Sequence, residues 1–196
     1  MKERLFLSAN FSDFCIGLAR ENSWIYQCQE QGYIASQLTS VLTPCLEEIH
    51  WEDLSVFLLN GPGSTLGIRT LCAFGRTLLT LDKIPSARFF VCDTLHFAHA
   101  YLRFEQKDRI VCARVNLTQT LCVSSEFPKI HVASAEEQAQ AIWLPHPCLT
   151  QNTQIFHFQM ERVLPLLKSE REFWVATSEP DVFDYQNYLA ITGEQG

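Results

Sequence analysis

Leu54-Ser-Val-Phe-Leu-Leu-Asn60, then Gly61-Pro62-Gly63-Ser64, then Thr65-Leu66-Gly67-Ile68-Arg69 is the stretch on which the fold turns. Its first part is a nearly unbroken apolar run, the pattern of a strand covered on both faces. Gly61, Pro62 and Gly63 break that run abruptly, and Ser64 or Thr65 stands where a helix N-cap is needed. The helix is expected over residues 65–81, with Leu66, Ile68, Leu71, Phe74 and Leu78 as its apolar positions. Glycines let a backbone approach its neighbours closely, and free N–H groups at a helix start suit an anion. Gly67, one turn into the helix, suits close packing against another helix or a strand. No Gly-Lys-Ser/Thr follows, so this is not a Walker phosphate loop. Taken alone, a structural turn with a packing glycine accounts for these residues.

Upstream lie three short apolar runs, at 5–9, 14–19 and 24–27. Asn10, Ser12 and Asp13 separate the first two, and Arg20-Glu21-Asn22-Ser23 the second pair, which predicts an antiparallel meander. A helix follows over 34–49, where Ile34, Leu38, Val41, Leu42, Cys45, Leu46 and Ile49 share one face. Pro44 lies inside it and is expected to bend the helix or split off its last turn. Downstream, 87–92 reads as another buried strand and 94–101 as a short helix. The order β-β-β-α-β-α-β-α makes a mixed sheet with helices on both faces, the core of an actin-like, or ribonuclease-H-like, nucleotide-binding lobe. The second half repeats the theme less clearly: a hairpin over 110–115 and 119–123 across Asn116-Leu117-Thr118, helices over 135–142 and 161–168, a strand over 173–176, and a tail over 189–196. The expected architecture is an α/β, two-lobed actin-like (ASKHA) fold, with an N-terminal lobe over 1–102 and a shortened second lobe over 103–196.

The chain has 196 residues, 47% hydrophobic and 19% charged, enough to bury a full core and too apolar for disorder. Net charge is −7, from 15 basic and 22 acidic residues, with no basic run or basic helix face; unaided nucleic-acid binding is not expected. No apolar run reaches the roughly 18–20 residues of a membrane span. The start, Met1-Lys2-Glu3-Arg4, leads into only three apolar residues, too few for a signal peptide. The eight cysteines lie at least ten residues apart with no CxxC pair, and most sit within apolar stretches. They read as small hydrophobes in a reducing compartment. A cytoplasmic protein is expected, in which the sequons at Asn10 and Asn116 carry no meaning.

At Gly61-Pro62-Gly63-Ser64-x-x-Gly67-x-Arg69 the chain resembles the bacterial TsaB family, also called YeaZ. That family's signature is near Gly-Pro-Gly-Ser-Phe-Thr-Gly-Leu-Arg; Thr65 and Leu66 replace its Phe-Thr pair. The resemblance covers roughly residues 4–100, through Arg76-Thr-Leu-Leu, and then fades to element order. It implies a non-catalytic subunit that dimerises with the TsaD-type catalytic subunit making threonylcarbamoyladenosine in tRNA. The first two helices would enter a helix bundle with that partner. Ile34, Leu38, Leu42, Leu66, Gly67 and Arg69 are then the partner-interface residues, and Gly61, Pro62, Gly63 and Ser64 the motif loop. An apolar face through Leu38 and Leu42 could equally be satisfied by the chain's own sheet; a partner face would leave a contiguous apolar patch exposed. The same helices could serve a homodimer. A TsaE-type ATPase and a nucleotide at a subunit junction belong to the same implied assembly, with tRNA contacted only indirectly and no resident cofactor.

Active actin-like proteins place an Asp near the end of the first strand to orient metal and phosphate. TsaB proteins often retain that Asp, but here the position is Ala9, or Ser8 with a shifted register; ATP turnover is therefore not expected, and the alternative of a divergent ATPase or kinase lacks its anchor. TsaD carries a His-x-x-x-His metal pair whose register falls on Thr94 and Ala98, neither of which binds metal. His96 and His99 lie one turn apart, with Asp93 as a further ligand or as the helix cap; a structural role is expected, and no metal. His146-Pro147-Cys148 does not place a thiol against an imidazole, and Ser64 lacks a Gly-x-Ser-x-Gly elbow. Glu47-Glu48 and Glu136-Glu137 read as solvated helix faces.

Overall fold

The computed structural model describes residues 2–9, 13–31, 34–115, 119–149, 153–168 and 173–181. The hairpin tip at 116–118, the sequon at Asn10 and the tail over 189–196 lie outside them. The meander forms as β1 (Glu3–Ala9), β2 (Asp13–Arg20) and β3 (Ser23–Gln31), paired antiparallel from Glu3↔Arg20 to Ala9↔Phe14 and from Arg20↔Ser23 to Asp13↔Gln31. β3 runs four residues beyond the apolar segment that marks it in the sequence. Its backbone goes on pairing with β2 while its side chains turn polar, which suits an edge strand that must not recruit another chain. Glu3, fully buried, accepts from Arg20 Nε at 2.7 Å and from the His50 N–H at 2.8 Å, so its charge is paired and its lone pairs are used.

α1 (Ile34–Glu47) continues through Pro44 rather than shedding its last turn. Fully buried Cys45 anchors that turn, and Glu48 and Ile49 then close the end with N–H bonds to the Cys45 and Leu46 carbonyls. β4 (Leu54–Leu59), α2 (Thr65–Thr80), β5 (Phe89–Cys92) and α3 (Thr94–Phe104) complete the first lobe. Beyond it come β6 (Val111–Arg114), β7 (Thr120–Val123), β8 (His131–Val132), α4 (Ala135–Gln140), β9 (Ile142–Trp143), α5 (Met160–Lys168) and β10 (Val175–Ala176). The large sheet has the order β10-β5-β4-β1-β2-β3, with β1, β4 and β5 parallel. Its last strand therefore comes from the second half of the chain, antiparallel to β5.

Alternation along the strands sorts the core into two layers. Leu5, Leu7, Ile16, Val56 and Leu58 face α1 and α2, while Phe6, Cys15, Phe57 and Leu59 face a second core built with α3, α5 and the small sheet. Phe97 on α3 lies at the centre of that second core, with the rings of Phe6, Phe158, Phe173 and Trp174 at 5.6–6.3 Å. The small sheet has the order β8-β7-β6-β9, with β6, β7 and β8 antiparallel and β9 parallel to β6. Three antiparallel strands, a helix and a parallel strand beside the first is also how β1, β2, β3, α1 and β4 are laid out. The second lobe thus repeats the opening topology of the first in shortened form. No helix among the described residues is long and apolar enough to cross a membrane.

Candidate functional site

The loop between β4 and α2 is held from both sides. Gly61 takes a positive φ of 122°, which glycine allows, and its carbonyl accepts the Thr94 N–H at 2.6 Å. The Asn60 N–H reaches the Cys92 carbonyl at 3.0 Å, so the loop is tied to the end of β5. Ser64, not Thr65, is the N-cap: its Oγ accepts the Gly67 N–H at 3.3 Å and its carbonyl the Ile68 N–H at 2.8 Å. Gly67 then passes over the end of β1. A Cβ there would lie 2.9 Å from Ala9 Cβ and 3.3 Å from Ile34 Cγ2. The end of β1 is therefore filled by the Ala9 methyl packed against a helix backbone. Ser8, also buried, sits one residue back on the other side of the strand.

The six residues expected at a partner interface separate into two groups. Ile34 and Leu42 are buried against the chain's own sheet, Gly67 is buried by Ala9, and Leu38 is half-buried on the same core. The apolar face of α1 is thus satisfied internally, because β1 and β2 offer it a ready apolar layer, and among the described residues no contiguous apolar patch is exposed there. Leu66 (57% exposed) and Arg69 face solvent, beside exposed Thr65 and Ala73 on α2 and Thr39 and Thr43 on α1. The outer face of the two helices is small and polar, with Leu66 standing out from it. At the other end of α2, Arg76 is held by the Pro180 carbonyl at 2.9 Å and by Asp181 at 3.0 Å.

Asp93 is the cap of α3, its Oδ1 accepting the His96 N–H at 2.8 Å. His96 uses both ring nitrogens, Nδ1 with Asp93 Oδ2 at 2.5 Å and Nε2 with the Pro128 carbonyl at 2.8 Å. Both partners are acceptors, so the ring is fully satisfied as the imidazolium. Burial opposes that charge, but the Asp93 carboxylate and the Pro128 carbonyl outweigh it and raise the pKa. His99 is buried and turns to Ser125 Oγ at 3.4 Å, so the two histidines do not converge. At His146-Pro147-Cys148 the contact is Cys148 N–H to His146 Nδ1, with the thiol uninvolved. Cys15, Cys45, Cys72 and Cys92 are buried, and burial pushes the thiols of Cys45 and Cys72 up to about 12 and about 11, as expected of packing cysteines. Nothing in the local sequence marks Cys122, His131 and Glu137, which β7, β8 and α4 bring within ligand distance of one another.

A meander with parallel strands added beside it, two helices on one face and a shortened copy of the same topology on the other, defines the class: a two-lobed, actin-like α/β protein. Solved structures share the fold. YeaZ from Pseudomonas aeruginosa superimposes with a TM-score of 0.51 at 17% identity over 69% of this chain; the chain spans 65% of that protein's length. A structure described as an uncharacterized protein with similarity to peptidase YeaZ from Pseudomonas aeruginosa gives a TM-score of 0.61 at 15% identity, covering 94% of this chain and 99% of that one. No family model and no curated protein matches the sequence.

Proposed function

We propose that this chain is a non-catalytic, TsaB-like subunit that pairs with a TsaD-type catalytic subunit in threonylcarbamoyladenosine modification of tRNA. The observation that carries the proposal is that Ala9 packs against Gly67 at the end of β1, so that this position offers no carboxylate for metal or phosphate. The YeaZ-like fold and the Gly61-Pro62-Gly63-Ser64 loop support the same conclusion. The surface offered to the partner is the outer face of α1 and α2 around Leu66, Arg69, Thr39 and Thr43. This face is not the contiguous apolar patch first expected of a partner surface: Thr39, Thr43, Thr65 and Ala73 are small enough to let a partner helix approach closely, and Leu66 is the exposed apolar side chain beside them. In this proposal the protein works in the cytoplasm. Nucleotide and a TsaE-type ATPase join at the assembled complex, and the net charge of −7 leaves tRNA contact to the partners.

The test is the light-scattering mass of the chain mixed with the same organism's TsaD-type subunit. A one-to-one complex is expected, and Leu66→Asp or Arg69→Glu should abolish it while the circular dichroism stays unchanged. A chain that remains single, or that pairs only with itself through the same helices, overturns the proposal. Hydrolysis of Mg-ATP by the lone chain does so as well, in favour of a divergent ATPase.

A further inference from the structure

In the small sheet the strand register places Cys112 opposite Cys122, and Cys122 opposite His131. Helix α4 supplies the third group. Its capping box fixes Glu137: Oε2 accepts the Ser134 N–H at 2.8 Å while Ser134 Oγ accepts the Glu137 N–H at 3.2 Å. That leaves Glu137 Oε1 at 2.8 Å from His131 Nε2 and 3.6 Å from Cys122 Sγ, with Sγ 3.0 Å from the same nitrogen. His131 Nδ1 bonds the Lys129 carbonyl at 3.0 Å, which orients the ring and directs Nε2 at the other two groups.

Such a trio could be a nucleophilic thiol with its base and orienting acid, or a metal site. A catalytic relay uses the two ring nitrogens separately, one toward the thiol and one toward the acid. Here thiol and carboxylate both converge on Nε2, and Nδ1 is taken by a backbone carbonyl. Cys122 is also fully buried, which closes it to a substrate. Three donors aimed at one point fit an ion.

We propose that Cys122 Sγ, His131 Nε2 and Glu137 Oε1 form a binding site for a zinc-class divalent ion, with its fourth position open to the adjoining pocket. A tetrahedral ion with sulfur at about 2.3 Å and nitrogen or oxygen at about 2.0–2.1 Å separates its ligand atoms by roughly 3.3–3.5 Å. The Cys122–Glu137 separation of 3.6 Å meets that geometry, while the His131–Glu137 and Cys122–His131 separations of 2.8 and 3.0 Å are hydrogen-bond contacts that open by about 0.5 Å around the ion. Thiolate, imidazole and carboxylate together select zinc over magnesium or calcium. His131 and Glu137 line a pocket of about 620 Å³ with Ser125, Phe127, Ser134 and Gln140, which gives the ion a way in and the fourth position room for water. This site stands apart from the α1–α2 surface, and its existence does not depend on the partner assigned there.

The experiment is a cobalt(II) titration of the full chain, reduced and stripped of metal with a chelator, followed by displacement with zinc(II). One equivalent should bind, with a thiolate-to-cobalt charge-transfer band in the near ultraviolet that zinc erases. Cys122→Ser should abolish the band. Glu137→Gln, on a short surface helix, should weaken affinity by at least about tenfold without altering the circular dichroism, as removal of a metal-site partner does. Glu136→Gln, on the same helix and pocket rim, should bind as wild type. Absence of the charge-transfer band in the wild-type chain overturns the proposal, as does an affinity unchanged in Glu137→Gln. Should Cys122→Ser not fold, His131→Asn and Glu137→Gln decide in its place.

Discussion

A methyl group added at Gly67 would stand 2.9 Å from Ala9 Cβ, which is fixed to a central strand and cannot swing aside. Gly67→Ala should gain up to about 1 kcal/mol of helix propensity and lose about 1–3 kcal/mol to overpacking, so the urea midpoint is expected to fall. Ala9→Gly in the same chain should restore most of the loss, because it vacates the space; a double mutant no more stable than Gly67→Ala would refute the contact. His96 gives a second test. Its pKa is raised above the ordinary 6.5 in the folded chain, so its bridge from Asp93 to Pro128 stabilises fully below that value and fades as pH climbs through the folded pKa. Stability measured from about pH 5 to pH 8 should fall more steeply in the wild type than in His96→Gln. The Ser64 and Asp93 caps were legible one residue at a time, since a cap is a local feature. The site at Cys122 was not, because its three donors meet only when strand pairing closes a gap of nine residues and the capped start of α4 closes one of six.

Helix α3 ends on Gln106 at a φ of 60°, with Gln106 N–H bonded to the Arg103 carbonyl and Lys107 N–H to Leu102. Helix α2 ends the same way on Asp82 at 50°, with bonds to Leu79 and Leu78. These are Schellman closures without the usual glycine. Gln106→Gly and Asp82→Gly are each expected to stabilise the chain by about 0.5–1 kcal/mol, read as a higher melting temperature, because glycine carries no penalty at positive φ. Lacking glycine, these stops do not announce themselves: α3 extends three residues past its expected end at Tyr101, and buried Leu102 belongs to its core face. The long elements of the first lobe were readable from apolar periodicity. β8 and β9, two residues each, carry no periodicity at all and exist only through their neighbours.

The cluster around Phe97 draws residues from the large sheet, α3, α5 and the small sheet into one apolar body. The two lobes should therefore unfold together, with a single urea transition by tryptophan fluorescence and by circular dichroism. Phe97→Ala should lower stability by about 3–5 kcal/mol without splitting that transition. Two separated transitions would show that the lobes hold themselves up independently. The two-lobed plan was visible in element order, but the return of the chain to the first lobe was not, since β10 is two residues long and its partner lies some eighty residues earlier. That return has a consequence during synthesis. Until residue 176 has left the ribosome, β5 presents a bare hydrogen-bonding edge on an otherwise finished sheet. A nascent chain stalled before that point carries an adhesive rim, which the pairing of β10 with β5 removes.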